Sequence, residues 1–182
     1  MPDKVADLRD AELRRLAQQV CAPGAAEPFG VYVFRGDEPG AKLGRHLEGA
    51  VFLEAVGNTK ELLDEEYGPY EQKSVFICVV DHLRWLPAGV MRVLLPSPVG
   101  LKSLNDIEPV WGESAETLVE RTGLKLDMGR TWDVATLAVA PDYRGRAARG
   151  LVGMGLYQTV VLAARACGVD WLAAILDMPV FR

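Results

Sequence analysis

Val139-Ala140-Pro141-Asp142-Tyr143-Arg144-Gly145-Arg146-Ala147-Ala148-Arg149-Gly150 is the stretch on which the reading of this 182-residue chain turns. Ahead of it, residues 132–139 form an apolar run of strand length. Behind it, residues 146–167 read as a long apolar helix with Gly168 as its natural cap. Pro141-Asp142 makes the turn between them. Backbone N–H groups at a helix start form an anion site when no bulky side chains intervene. Arg144, Arg146 and Arg149 add positive charge where the helix dipole by itself disfavours it. The simplest ligand is therefore a phosphate or pyrophosphate, held by Arg144, Gly145, Arg146, Ala147, Ala148, Arg149 and Gly150. Residues 171–176 read as another strand. Strand, long helix and strand form a crossover, so the two strands are expected to be parallel. Gly153 and Gly155 each weaken the helix by about 1 kcal/mol relative to alanine, which predicts close approach of the helix to the sheet or to a ligand.

Upstream, residues 8–20 carry the apolar stripe Leu13, Leu16, Ala17 and Val20 of an amphipathic helix, with Asp7 as its cap. Residues 29–34 alternate as a strand. Residues 41–56 predict a helix with Leu43, Leu47, Ala50, Val51 and Glu54 at helical spacing. Asn58-Thr59-Lys60-Glu61 reads as a capping box opening a short acidic helix through Glu66. Residues 74–80 and 89–95 are strong strands joined by a hairpin connection, hence antiparallel neighbours. Residues 99–111 are weakly patterned. A short helix over 114–121 is stopped by Gly123. There is no repeat, no low-complexity tract and no linker, so a single domain over 1–182 is expected.

Composition narrows the function. A net charge of −5 with 25% charged residues makes the arginines near Arg144 a local patch on an acidic protein, which argues against nucleic-acid binding. No apolar run reaches the ~20 residues that span a bilayer, and the charged N-terminus has no signal-peptide core. Three well-separated cysteines, Cys21, Cys78 and Cys167, read as reduced thiols and point to a cytoplasmic location. The two isolated histidines, His46 and His82, make no metal site.

The strand–loop–helix unit resembles the GNAT acyltransferase superfamily, whose loop reads Gln/Arg-x-x-Gly-x-Gly/Ala after a strand ending Val-x-Pro-x-Tyr/Phe-Arg. The lead-in matches from Leu137 to Arg144. Ala147 and Arg149 stand at the two small positions of the motif, and Gly150 falls one place late. Gly89-Val90-Met91-Arg92-Val93-Leu94-Leu95-Pro96-Ser97 is similar to a strand of autoinducer synthases and N-acyl amino acid synthases. That branch has arginine where this chain has Thr136 and Glu48, which argues against homoserine-lactone synthesis.

The resemblance implies a mixed α/β fold. Its central sheet would be largely antiparallel, with helices on both faces and a parallel strand pair around the helix 146–167. Such domains usually continue with another helix and two strands. The expectation is that this C-terminal part is missing, or that a homodimer completes the sheet. The implied co-substrate is coenzyme A as an acyl-CoA, without a metal; an acyl carrier protein is the alternative donor. The acceptor would be a small-molecule amine, attacked directly.

Acyl transfer needs an oriented thioester, a donor for its carbonyl oxygen, and a base for the amine. The resemblance assigns the pantetheine arm to the backbone of Leu137, Ala138 and Val139. Asp133, a carboxylate in an apolar strand, is the candidate base or amine anchor, or else a surface partner of Arg130. Arg92, a charge in an apolar strand, either grips an acceptor carboxylate or pairs with Asp133 or Glu54. Tyr143 and Tyr157 are proton-donor candidates. Two other readings of the chain are a non-catalytic acyl-CoA-binding domain and a nucleotide-binding module; the latter lacks a Walker lysine.

Overall fold

The computed structural model describes residues 10–21, 27–144 and 150–175. Five strands form one sheet in the order β1-β2-β3-β4-β5: β1 (Phe29–Arg35), β2 (Ser74–Asp81), β3 (Leu86–Leu94), β4 (Thr131–Val139) and β5 (Trp171–Ala173). The first three pairings are antiparallel and β4–β5 is parallel, as the crossover predicts. The central strands β2 and β3 are buried on both faces, which is why their sequences are nearly continuous apolar runs.

Alternation along β2 divides the core. Phe76, Cys78 and Val80 face α1 (Asp10–Val20) and α2 (Ala41–Val56), where they meet Leu13, Ala17, Leu43, Leu47 and Val51. Ile77 and Val79 face the opposite way, toward Val152, Leu156 and Val160 of the last helix. The stripe on α2 differs from the sequence expectation. Ala50 and Glu54 are exposed, while Ala41, Gly44 and Glu48 are buried. Gly44 explains the shift: a Cβ there would lie 2.6 Å from Phe76 Cδ1, so only glycine lets the helix lie this close to the sheet.

α3 (Lys60–Tyr67) is capped by Thr59, whose side chain accepts from Leu62 N–H. The weakly patterned stretch folds as two short helices, α4 (Lys102–Asn105) and α5 (Ile107–Trp111), followed by α6 (Ala115–Thr122). The helix after β4, α7, is described over Leu151–Ala166, with Gly150 at its N-cap in the left-handed region (φ 70°). Gly168 (φ 68°) turns the chain out of it, and Val169 N–H closes on Ala164 O at 2.9 Å. The expected close approach at Gly153 and Gly155 is not needed. A Cβ on Gly153 meets nothing within 4 Å, and one on Gly155 would make ordinary contacts of 3.5 Å with Val31 and 3.6 Å with Val79. The glycine that does permit close packing is Gly89 on β3, where a Cβ would fall 2.4 Å from Val152 Cγ1. No helix among the described residues is long and apolar enough to cross a membrane.

Candidate active site

β4 holds the site because it changes neighbours along its length. On one side it pairs with β3 from Asp133 to Val139. On the other, β5 pairs only with Thr131, Trp132 and Asp133. From residue 134 to 139 that edge of β4 has no strand partner among the described residues, and side chains meet it instead, Tyr67 at Ala135 O and Arg144 at Val139 O. Leu137, Ala138 and Val139 lie on this open edge, Ala138 buried and Leu137 exposed. A bulge marks the opening: Arg92 faces Thr136 and Val93 faces Val134, leaving Ala135 as the extra residue. A cleft of about 170 Å³ lies beside it, lined by Tyr67, Lys102, Ser103, Asp106, Ala135 and Ile175.

Asp133 sits behind the cleft with no exposed surface. Its Oδ2 accepts from Ser103 N–H at 2.7 Å and its Oδ1 from Ser103 Oγ at 2.6 Å. Burial raises the pKa of its carboxyl, against the pull of the two Ser103 hydrogen bonds and of nearby Lys102. Asp133 is therefore not the surface partner of Arg130, which instead binds Asp170 and Gly168 O. It meets the cleft through Ser103.

The sequence reading missed Ser103, because the residue stands in the segment without periodicity. Lys102, beside it, donates to Asp106 at 2.5 Å, lies 3.6 Å from Glu66 and sits over the Tyr67 ring. Partial burial disfavours its charge, but Asp106 and Glu66 outweigh that, and its pKa rises. The Tyr67 hydroxyl donates to Ala135 O at 3.4 Å. Burial, then the Glu48 charge, raises its pKa, so the group remains a neutral O–H donor.

Arg92 faces the same side of the sheet but pairs with neither Asp133 nor Glu54. Its Nε and Nη2 donate to the two oxygens of Glu48 at 3.1 and 2.5 Å, and its Nη1 donates to Glu71 at 3.2 Å. The guanidinium lies 4.5 Å from the Tyr67 ring centroid and 4.7 Å from that of Phe76. Burial opposes its charge, yet Glu48 and Glu71 raise its pKa. Thr136 Oγ1 completes Glu48, and Arg45 binds the other side of Glu71. With its donors on two carboxylates, this arginine fixes α2 against the sheet and has little field left for an acceptor carboxylate.

At the far end of β4, Arg144 Nε donates to Val139 O at 2.7 Å, and Nη2 lies 3.9 Å from Glu54. Gly145, Arg146, Ala147, Ala148 and Arg149 lie outside the described residues; Gly150 borders them. Tyr143 donates to Asp81 at 2.7 Å, and burial together with that bond pushes its pKa up to about 12. Tyr157 is on the exposed face of α7.

No protein-family model matches the chain, and no curated protein matches it. Solved structures do. An aminoglycoside N-acetyltransferase in complex with CoA aligns over 87% of this chain and 82% of its own, at 10% identity and a TM-score of 0.50. A GNAT family acetyltransferase from Brucella melitensis in complex with acetyl-CoA aligns over 82% and 77%, at 10% identity and a TM-score of 0.49. A ribosomal-protein-alanine N-acetyltransferase from Brucella melitensis biovar Abortus 2308 aligns over 82% and 81%, at 16% identity and a TM-score of 0.47. The mixed five-stranded sheet with its parallel β4–β5 pair is the GNAT acetyltransferase fold, on the first of these matches and on the topology. The likeness of residues 89–97 to autoinducer synthases finds no counterpart among these structures.

Proposed function

We propose that this chain is an N-acyltransferase that moves an acyl group from an acyl-CoA thioester to an amine by direct attack. The observation that carries this reading is the opening of β4 from β5 immediately after Asp133, with a polar cleft at the point of opening. The shared fold with an acetyltransferase solved with CoA supports it at the level of architecture.

The residues divide the work as follows. The edge of β4 at Leu137, Ala138 and Val139 offers backbone hydrogen bonds to the amides of a pantetheine arm, Arg144 leaving Val139 O as it turns to the pyrophosphate. Arg144, with the loop 145–149 and Gly150, holds the pyrophosphate at the end of that edge. Ser103 Oγ takes a proton from the attacking amine and passes its own to Asp133 Oδ1. The raised pKa of Asp133 makes it a better proton acceptor than an ordinary carboxylate. The Tyr67 hydroxyl, neutral at working pH, donates to the carbonyl oxygen as negative charge develops. Its pKa lies above that of a thiol, so it serves as a hydrogen-bond donor only; as the C–N bond forms the C–S bond breaks, and coenzyme A leaves as its thiolate, which takes a proton from water. Arg92 positions Tyr67 and α2, and the acceptor is held by its amine, not by a carboxylate. An acyl carrier protein is the second source of the same thioester.

The test is a melting series with coenzyme A, acetyl-CoA and longer acyl-CoAs, followed by turnover measured as free thiol. Ligand at 100 times its Kd stabilises by about 2.7 kcal/mol, a rise of roughly 5–10 °C for a chain of this size. Arg144→Ala together with Arg146→Ala should abolish the shift. Ser103→Ala should keep the shift and lose most of the turnover. Binding without turnover by the native chain would favour a non-catalytic acyl-CoA-binding domain. An absence of any shift with the whole coenzyme series would defeat the acyl-CoA reading.

A further inference from the structure

The opposite face of the sheet carries a second concavity that the acyl-transfer reading does not use. It lies between the sheet and the C-terminal end of α7 and has a volume of about 330 Å³, inside the range of roughly 300–1,000 Å³ typical of small-molecule sites. Ile77 and Val93, both 1% exposed, form its floor, with Val33 and Trp132 beside them. Cross-strand pairing fixes this row: Val33 stands opposite Ile77, and Val75 opposite Val93. Arg35 on β1 and Cys167 at the end of α7 lie on the rim.

The rim says what an occupant carries. The Arg35 guanidinium has no ion pair or hydrogen bond among the described residues, although nearly every other arginine near the sheet is engaged. Glu38 faces the same trough, and its Oε2 accepts from Arg35 backbone N–H at 2.6 Å. That acid leaves the guanidinium unmatched and disfavours a multiply charged anion beside it. The combination of an apolar floor and one free guanidinium suits a single carboxylate on a hydrocarbon tail. From Arg35 on β1 to Trp132 on β4 the trough crosses three inter-strand steps, roughly 14 Å. An extended alkyl chain of ten carbons, about 11 Å long, covers most of that span.

We infer that this trough binds a medium-chain alkyl monocarboxylate, with its carboxylate on Arg35 and its tail lying over Ile77 and Val93 toward Trp132. The site is separate from the cleft at Ser103, because the side chains of Trp132 and Asp133 take opposite faces of β4.

Decanoate is the probe, used below its micelle concentration and compared with decanol. Cys21 and Cys78 are buried and Cys167 is exposed, so maleimide labelling of the folded protein reads Cys167 alone. Decanoate should protect Cys167 saturably. It should also change tryptophan fluorescence in the native protein but not in Trp132→Phe. Arg35→Gln should weaken decanoate roughly tenfold, the loss of one charge-assisted bond, and leave decanol unchanged. Val33 is 52% exposed, so Val33→Trp fills the trough without disturbing the core and should abolish protection. Arg144→Ala should leave decanoate binding intact. The inference is overturned if decanoate gives no saturable protection of Cys167. It is overturned equally if Arg35→Gln weakens decanoate and decanol alike, or if Val33→Trp binds as the native protein does.

Discussion

Replacing Glu48 by glutamine tests the energetic account of the buried charges beneath the cleft. Glu48 is 1% exposed and Arg92 3%, and they share two hydrogen bonds. Breaking such a pair by removing one partner costs about 3–5 kcal/mol, because the other charge stays buried. Glu71 still touches Arg92 at 3.2 Å but also serves Arg45, so the lower end of that range, about 3 kcal/mol, is expected for Glu48→Gln. Glutamine keeps an oxygen for Thr136, which isolates the charge effect. Arg92→Met alone should cost a similar amount by stranding Glu48. The double variant puts a methionine between the Tyr67 and Phe76 rings with no stranded charge, so it should lose far less than the sum. A coupling of at least about 2 kcal/mol is predicted, within the range for directly bonded residues. Urea unfolding at pH 7 reads it as a shift of midpoint at constant slope. A loss below about 1 kcal/mol for Glu48→Gln, or additivity within about 0.5 kcal/mol, would refute the reasoning.

Three further outcomes are expected. Burial raises the Asp133 pKa, so the folded state holds that proton more tightly than the unfolded chain does. Its contribution to stability is complete below the unfolded value of about 3.9 and is lost as pH rises through the raised folded value. Asp133→Asn should therefore gain on the native protein as pH rises from about 4 in melting experiments, and a pH-independent difference would contradict this. Gly153→Ala should stabilise the chain by up to about 1 kcal/mol, since its Cβ meets nothing within 4 Å; denaturant unfolding checks it. Gly89→Ala should destabilise by about 1–3 kcal/mol through its clash with Val152, and adding Val152→Ala should recover part of that loss.

The strand order near the site was legible because it rests on strong local signals. An apolar strand, a proline turn, a long helix and another strand can close on one sheet only as a parallel crossover. The two runs 74–80 and 89–95 pair as read because both faces of the central sheet are covered. The partners of the charged residues were not legible. Glu48 lies 44 positions from Arg92 and Ser103 lies 30 from Asp133, distances at which no periodicity speaks. Ser103 sits in a four-residue helix too short to show an amphipathic pattern. Glu48 was masked by a stripe on α2 read through Ala50 and Glu54, whereas the close contact of Gly44 with Phe76 turns the helix so that Glu48 is buried. The N-cap proved one residue later than read, Thr59 accepting from Leu62 N–H.

A crystal structure of the chain with acetyl-CoA would decide whether the open edge of β4 receives an acyl-CoA. Pantetheine amides should be bonded to β4 backbone between residues 134 and 139, with the pyrophosphate at Arg144 and the thioester beside Ser103. A coenzyme bound elsewhere, with that edge paired to another strand, would contradict it.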